Sequence, residues 1–173
     1  GLSIPPTVID DAIKNGCSCI LVDNKYIESF RPEITILKSH NPKEVFTKLV
    51  HSFYDFPAHK LKCYGVTGTN GKTTTVHLIH HLLTSMGIKS GMISTVEYYT
   101  GKDAFVPNMT TPGIEDLVSH LYTMVKENIE AVVIEVSSHA LDQGRCDNIQ
   151  FDCAVFTNLT RDHLDYHKDI KSY

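Results

Sequence analysis

The stretch GVTGTNGKTTT, residues 65–75, decides the fold of this chain of 173 residues. A short apolar run precedes it, and the apolar spacing that follows predicts a helix beginning at Lys72. A glycine-rich loop between a strand and a helix turns backbone N–H groups towards a phosphate, and the helix N-terminus adds partial positive charge. Lys72 can meet the β and γ phosphates, and the Thr73 hydroxyl can hold Mg²⁺. The stretch therefore predicts a nucleotide-binding loop.

The loop departs by one position from the strict P-loop pattern G-x-x-x-x-G-K-[ST]. That pattern requires glycine at position 66, where the chain has Val66, and the glycines fall instead at 65, 68 and 71. The departure argues against a standard GTPase or kinase loop. A glycine-rich turn that binds nothing is the alternative, but the Lys72–Thr73 pair at the helix start argues against it.

Strands and helices alternate around and beyond this loop. The runs 131–134 and 154–156 are uniformly apolar, which is typical of strands covered on both faces of a parallel sheet. The predicted fold class is α/β, with a doubly wound, mostly parallel P-loop domain over 61–173. Its predicted elements are strand 62–67, helix 72–86 ended by Gly87, strand 90–95, helix 113–128, strand 131–136 and strand 153–157.

Residues 1–57 predict a separate, smaller α/β domain. Its predicted elements are a helix at 7–15, strands at 19–22 and 34–37, and a helix that begins at Pro42 after a capping Asn41. Segment 54–60 is predicted to be a linker, because its proline disfavours a helix at the preceding residue.

Composition excludes several classes of function. A net charge of −4 and a pI near 6.2 provide no basic face for nucleic acid or an anionic membrane. No apolar run approaches eighteen residues and no signal peptide is recognisable at the start, so we expect a cytoplasmic protein with small-molecule partners. The five cysteines are scattered without a C-x-x-C pair, which predicts reduced thiols and not a disulfide framework or a zinc site.

Two polar motifs follow predicted strands. VVIEVSSHALDQGR (132–145) places Glu135 near the carboxyl end of a strand, where it could hold Mg²⁺; a solvated strand-end glutamate is the alternative. FTNLTRDHLDYH (156–167) is dense in Asn, Thr, Asp and His and indicates a site. A zinc or iron metallohydrolase cluster is the alternative there, but it would leave the phosphate loop unexplained.

The remaining polar residues are given simpler interpretations. In NMTTP (108–112), Thr110 or Thr111 is predicted, from the residues alone, to cap the helix that follows. The histidines on predicted helices are expected to be surface residues: His77, His80, His81 and His120.

Taken together, GVTGTNGKTTT, TTP, EVSSHALDQGR and FTNLTRDHLDYH resemble the Mur ligase family, and the last two resemble its MurE type most. The stretches 12–24 and 41–62 are similar to the later half of that family's UDP-binding domain. The resemblance implies an ATP-dependent amide ligase of peptidoglycan synthesis that adds the third amino acid to UDP-N-acetylmuramoyl-L-alanyl-D-glutamate. The γ-phosphate would pass to the D-glutamate carboxylate, giving an acyl phosphate that the amino acid attacks. The implied ligands are ATP, Mg²⁺, the UDP-muramoyl dipeptide and an amino acid, and we expect a monomer.

The resemblance also implies roles for single residues. Lys72, Glu135 and His163 would be catalytic; Thr73 and Glu135 would hold one Mg²⁺, and His163 a second. The residues implied to cradle ATP are Thr69, Asn70, Gly71, Lys72, Thr73 and Thr74, with Asn158 near the nucleotide. Those implied to contact the UDP-muramoyl substrate are Thr110, Thr111, Ser137, Gln143 and Arg145.

Parts of the family pattern are missing from this sequence. The first UDP-binding loops would precede Gly1, while a carbamylated lysine and a C-terminal domain with the amino acid pocket would follow Tyr173. We therefore expect an interior fragment that cannot complete ligation alone, and the identity of the third amino acid stays open. Two alternatives remain: a ligase like the folylpolyglutamate synthases, which should lack EVSSHALDQGR, and a non-catalytic nucleotide-binding module.

Overall fold

The structure is a computed structural model that describes residues 6–25 and 34–173. The chain forms two compact units, Gly1–Lys48 and Leu49–Tyr173. The predicted N-terminal domain at 1–57 includes residues 1–5 and 26–33, which lie outside the described residues.

The first unit contains the helix and strands expected there, and α2 continues from it into the second unit. Helix α1 (Pro6–Lys14) precedes β1 (Cys19–Asp23) and β2 (Thr35–Ser39), which pair in parallel. Helix α2 (Pro42–Phe53) begins after Asn41, whose side-chain oxygen accepts the Glu44 N–H at 3.2 Å. The predicted Asn cap is confirmed, and it supplies a partner to one of the helix's first N–H groups.

The second unit is built on a sheet of six strands in the order β6-β5-β4-β7-β3-β8. Strands β4, β7, β3 and β8 are parallel, while β5 and β6 add an antiparallel edge. The fold class, a mostly parallel α/β domain, is confirmed. The strands are β3 (Lys62–Thr67), β4 (Ser90–Ile93), β5 (Tyr98–Tyr99), β6 (Ala104–Phe105), β7 (Ala131–Glu135) and β8 (Cys153–Phe156). The helices are α3 (Lys72–Ser85), α4 (Ile114–Lys126), α5 (Ser138–Asp142) and α6 (Leu164–His167), with a 3-10 helix at Pro57–Lys60.

Helices cover both faces of this sheet. Because successive residues of a strand point to opposite faces, Val133 packs with Val76 of α3, while Val132 packs with Leu117 of α4. The approach of α4 is close: a Cβ placed on Gly91 would lie 2.6 Å from the Met124 sulfur. The two layers fix α3, and with it the phosphate loop, against the middle of the sheet.

One strand differs from its prediction. β7 is buried along its length, as expected, but β8 is an edge strand in the described sheet and Phe156 is 64% exposed. The expectation that 154–156 is covered on both faces is wrong. An apolar run indicates a strand, but it does not indicate whether other strands and helices cover that strand on both sides.

Several short elements were not predicted. Strands β5 and β6 have two residues each, and α5 and α6 have five and four, too few for a periodic pattern. Residues 57–60, expected to lie in a linker, form the 3-10 helix, with Pro57 and Ala58 buried. No helix in the described part of the chain is long and apolar enough to cross a membrane.

Candidate active site

Four loops meet at one edge of the sheet. The parallel strands β3, β4, β7 and β8 all end there, at Thr67, Ile93, Glu135 and Phe156. Ligands of open parallel sheets bind outside the carboxyl ends of the strands. Every motif singled out from the sequence lies in or beside these loops.

The phosphate loop joins β3 to α3. Gly68 and Gly71 have φ of +128° and +85°, values that favour glycine. A Cβ on Gly68 would lie 2.2 Å from the Thr157 hydroxyl oxygen, whereas a Cβ on Gly71 would meet no heavy atom within 4 Å. The loop therefore packs on its Gly68 side and is open at Gly71. Val66 is fully buried in β3 against α3, so the departure from the strict pattern falls within the strand and not within the loop.

Lys72 turns back into this loop. Its ammonium donates to the carbonyls of Gly68 and Thr69, at 2.8 and 2.9 Å. The positive charge is thus held at the helix N-terminus, where an anion would meet both the charge and the helix dipole.

The loop after β8 supports the phosphate loop. The Asn158 side chain accepts the Asn70 N–H at 3.0 Å and donates to the Asn70 carbonyl at 2.9 Å. The Thr157 hydroxyl also donates to that carbonyl at 2.7 Å, and the Thr160 N–H donates to the Thr69 hydroxyl at 2.9 Å. Thr160 is one of the residues that made the sequence motif dense, whereas sequence reasoning missed Thr157, which lies in the same motif. Their partners lie about ninety positions earlier in the chain.

Glu135 is buried, with 2% of its surface exposed, so a solvated strand-end glutamate is wrong. The Thr73 hydroxyl donates to Oε1 and the Thr95 N–H donates to Oε2, each at 3.0 Å. A carboxylate beside a hydroxyl at the end of a phosphate loop is the oxygen donor set that suits Mg²⁺. Thr95 was also missed, because its contact is made by a backbone group.

Thr111 is fully buried and ties segment 108–112 to the end of β7. Its hydroxyl donates to the Glu135 carbonyl at 2.7 Å and accepts the Ser137 N–H at 3.1 Å. Thr110 accepts a hydrogen bond from the Thr95 hydroxyl at 3.1 Å. The prediction that one of these threonines caps the next helix is wrong: the N-cap of α4 is Gly113, with no side-chain bond. Strand β7 and its following turn use the Thr111 hydroxyl instead.

The other residues implied to contact substrate continue this network. Arg145 donates to the Thr111 carbonyl at 2.7 Å and to the Gln143 side chain at 2.9 Å. Gln143 donates to the Tyr166 hydroxyl at 3.1 Å, and Ser137 caps α5 by accepting the Ala140 N–H at 3.2 Å. The structure therefore brings Thr110, Thr111, Ser137, Gln143 and Arg145 into one connected region beside Glu135.

His163 makes its contacts with residues other than Thr73 and Glu135. Its ring is 4.8 Å from that of His139, centroid to centroid, and 3.6 Å separates its Nε2 from an Asp162 oxygen. Within the described residues no hydrogen bond links His163 to Thr73 or Glu135, and no group of three or more His, Cys, Asp or Glu side chains is arranged to hold a metal. Partial burial, then the neighbouring His163 and His167, lower the pKa of His139. The motif at 156–167 supports the phosphate loop. The described residues therefore give no support to a metallohydrolase.

Three of the four helix histidines are not simple surface residues. His80 Nδ1 pairs with the Ser90 hydroxyl at 2.7 Å, His77 Nε2 with the Ser94 hydroxyl at 3.3 Å, and His120 packs on Tyr98. Burial lowers the pKa of His80 and of His120. The surface prediction is wrong for these three half-buried residues, because each faces a polar or aromatic side chain in a strand or just after one, and it holds for His81.

Comparison with known proteins gives a consistent family. Residues 66–173 match the family model described as the Mur ligase middle domain. A UDP-N-acetylmuramoyl-L-alanyl-D-glutamate--2,6-diaminopimelate ligase from Fusobacterium nucleatum is 40% identical over 165 residues, 95% of this chain and 33% of that protein. Proteins of the same name from Synechococcus elongatus and Bacillus cereus are 40% and 42% identical, over 99% and 82% of this chain and 37% and 29% of their own lengths. The chain thus spans about a third of the length of the curated relatives it matches.

Solved structures agree on the fold. A UDP-N-acetylmuramoyl-L-alanyl-D-glutamate--2,6-diaminopimelate ligase superposes with a TM-score of 0.68 at 23% identity, over 92% of this chain and 37% of that one. A UDP-N-acetylmuramoylalanyl-D-glutamyl-2,6-diaminopimelate--D-alanyl-D-alanyl ligase from Acinetobacter baumannii gives 0.53 at 18% identity, over 92% and 31%.

Proposed function

Because the chain belongs to the Mur ligase family, we propose that it carries the nucleotide site of an ATP-dependent amide ligase of the MurE type. The observation that carries the proposal is the pairing of Thr73 with buried Glu135 at the end of the phosphate loop. The names of the relatives support a peptidoglycan ligase that acts on UDP-N-acetylmuramoyl-L-alanyl-D-glutamate.

The proposed reaction has two steps. A carboxylate oxygen of the dipeptide's D-glutamate attacks the γ-phosphorus of ATP, and ADP leaves. The amino nitrogen of the incoming amino acid then attacks the acyl carbon, loses a proton and expels inorganic phosphate. Phosphate transfer is needed because a carboxylate has no good leaving group of its own.

The phosphate loop would bind the triphosphate. The Thr69 and Asn70 N–H groups are bonded to Asn158, so the N–H groups at the start of α3, beside the open side at Gly71, would meet the phosphates, and Lys72 supplies the positive charge. Charge accumulates on the phosphoryl oxygens during transfer, so a fixed ammonium there stabilises the transition state more than the ground state. To meet a phosphate, Lys72 would exchange the loop carbonyls it now contacts for phosphate oxygens.

Thr73 and Glu135 would hold Mg²⁺, which supplies charge neutralisation between the phosphates when bound. Glu135 is already fixed by two neutral donors, so its rotamer is set before any cation arrives. His163, assigned by resemblance to a second ion, would have to act from its position beside His139.

The connected region would bind the muramoyl substrate through its five residues: Thr110, Thr111, Ser137, Gln143 and Arg145. Arg145 offers a guanidinium to an anionic ligand, and its bonds to Gln143 and to the Thr111 carbonyl hold it beside Glu135's strand end. Asn158 would act on the nucleotide side by keeping the Asn70 peptide in place.

Phosphate release from Mg-ATP tests the proposal. The complete protein in which this sequence occurs is supplied with UDP-N-acetylmuramoyl-L-alanyl-D-glutamate and one amino acid at a time, beginning with 2,6-diaminopimelate because the relatives carry it in their names. We expect release only when both substrates are present. Lys72→Ala should lower the rate at least a hundredfold, while Lys102→Ala, at an exposed lysine, should leave it unchanged. Release that needs neither substrate would reduce the protein to a nucleotide-binding module and refute the ligase.

A further inference from the structure

The second carboxylate oxygen of Glu135 depends on a single backbone group. Its Oε2 accepts the Thr95 N–H at 3.0 Å, while Oε1 accepts the Thr73 hydroxyl. Neither donor is charged, and the carboxylate is almost fully buried. The direction of the Thr95 N–H therefore decides where the second oxygen points.

A tight turn sets that direction. Ser94 is fully buried at the start of segment 94–97, where its N–H donates to the Glu97 carbonyl at 3.0 Å. The Ser94 hydroxyl oxygen accepts the N–H groups of Val96 and Glu97, both at 3.2 Å. One side chain thus holds the backbone on either side of Thr95.

His77 is the side chain that lies within hydrogen-bond distance of the Ser94 hydroxyl from helix α3. Two N–H groups occupy the acceptor positions of the Ser94 oxygen, so its one hydrogen remains to be donated. Two acceptors lie within reach of that hydrogen: His77 Nε2, at 3.3 Å, and the Glu97 carbonyl, at 3.2 Å, which also accepts the Ser94 N–H. His77 lies on α3 one turn beyond Thr73, so the helix reaches Glu135 twice: directly through Thr73 and indirectly through Ser94 and Thr95.

We propose that His77 is a positioning residue that acts through Ser94 and the 94–97 turn to hold Glu135 in the orientation that binds the divalent cation. The inference rests on the proposed function, since it concerns the cation assigned there to Thr73 and Glu135. His77 touches neither the cation nor the substrates; losing it would loosen Glu135 without removing any ligand. The expected signature is a lower affinity for the metal ion. The ATP concentration for half-maximal activity should change little once the metal is saturating.

The experiment uses the complete protein and five variants: His77→Leu, Ser94→Ala, the double variant, His77→Gln and His81→Leu. Gln can still accept the Ser94 hydrogen, and His81 is an exposed histidine of the same helix. We measure the free Mg²⁺ concentration for half-maximal phosphate release, the binding of Mn²⁺ with a non-hydrolysable ATP analogue by electron paramagnetic resonance, and the melting temperature. His77→Leu should raise both half-saturating metal concentrations about three- to tenfold, as the loss of one buried hydrogen bond implies.

If His77 acts on Glu135 only through Ser94, the other variants have definite expected results too. The double variant should be no worse than Ser94→Ala alone, because both changes cut one path. The half-saturating metal concentrations of His77→Gln should stay within about twofold of the wild-type values. Those of His81→Leu should equal the wild-type values. A His77→Leu protein with unchanged metal dependence, whatever its melting temperature, overturns the proposal, as does a double variant whose effects multiply. If the wild-type protein releases no phosphate with its substrates, the proposed function fails instead, and Mn²⁺ binding still decides the role of His77.

Discussion

Asn158 illustrates what a single side chain does in this site. Its amide makes two hydrogen bonds to one residue of the phosphate loop, as acceptor of the Asn70 N–H and as donor to the Asn70 carbonyl, so it holds the peptide groups on both sides of that residue. Rotation of either peptide group would break one of these bonds, so the backbone at Asn70 is restrained. Under the proposed function, the loop's shape would be set before a nucleotide binds, which would lower the entropic cost of binding.

Replacing Asn158 should weaken nucleotide binding. Asn158→Ala removes both bonds, and we expect a rise of about tenfold in the dissociation constant of a fluorescent ATP analogue, at about 0.5–1.5 kcal/mol for each bond. Asn158→Asp keeps the acceptor alone and should fall in between. Gln150→Ala, at an exposed amide distant in sequence from the loop, serves as control. Equal affinities for wild type and Asn158→Ala would show that the clamp contributes nothing.

The thiols give a second prediction at this scale. All five cysteines are free, and burial raises the pKa of Cys63 and of Cys146 to about 12. Only the thiolate reacts with a disulfide reagent. At pH 8 we expect Cys19 and Cys153, both exposed, to react quickly and Cys17 more slowly, while Cys63 and Cys146 react only after unfolding. Mass spectrometry of the labelled native protein checks this, and modification of Cys63 at the rate of Cys153 would contradict it.

At the residue scale, the sequence identified a site residue where the type of side chain and its position at a strand end indicate a role. Glu135 was singled out because it ends an apolar strand, and the structure confirms it as a buried carboxylate at the correct edge. Thr95 could not be found this way, since its contribution is a backbone N–H that any residue would supply. His77 was set aside because an amphipathic helix pattern cannot show that a buried serine lies opposite.

At the scale of elements, the phosphate loop is held by close packing against the loop after β8. Gly68 has φ of +128° and no room for a side chain, since a Cβ would lie 2.2 Å from the Thr157 oxygen and 2.9 Å from the Asn158 carbonyl oxygen. The carbonyl is backbone and cannot rotate away. Glycine at 68 is therefore a condition for the two loops to meet.

Gly68→Ala should separate these loops and abolish nucleotide binding. Gly87→Ala is the matched control: it too has positive φ, +79°, but no heavy atom lies within 4 Å of its Cβ position. Gly87 ends α3 with its N–H bonded to the Thr84 carbonyl at 3.0 Å, so alanine there should cost about 1 kcal/mol of stability. Urea denaturation and analogue binding measure the two effects. Normal binding by Gly68→Ala would mean that the loops can part without consequence.

The elements that were predicted are those with enough residues to show a pattern. Strand β3, helix α3 and strand β7 lie within one or two residues of their predicted bounds. The β5–β6 hairpin escaped because strands of two residues have no period to detect. The exposure of β8 was predicted wrongly because sheet order is set by pairing between distant segments, which composition does not encode.

At the scale of the whole molecule, the structure contains several histidines that folding keeps from gaining a proton. Burial lowers the pKa of His51, His80, His120 and His139 below their ordinary value near 6.5. His51 is the most enclosed, with 1% of its surface exposed, and its Nε2 donates to the Asp147 carbonyl at 3.0 Å. That bond raises the His51 pKa, but burial outweighs it and the nearby His59 lowers the value further.

The sign of the pH effect follows from this shift. Below about pH 6.5 these histidines bind more protons in the unfolded chain than in the folded chain. Protonation therefore favours unfolding. The stabilisation is complete above pH 6.5 and is lost as pH falls towards the depressed folded values. We therefore expect the free energy of unfolding of the Leu49–Tyr173 unit to decline between pH 7 and pH 5.

His51→Gln isolates one contribution to that decline. Glutamine can still donate to the Asp147 carbonyl but does not titrate, so the variant should lose less stability than wild type between pH 7 and pH 5. At pH 7.5 it should be weaker by only about 1–2 kcal/mol, the cost of an imperfect fit in a packed site. His81→Gln, at an exposed position on α3, should follow the wild-type curve. Urea denaturation at half-unit pH steps gives the slopes, and parallel curves for wild type and His51→Gln would show that His51 accepts a proton as readily folded as unfolded.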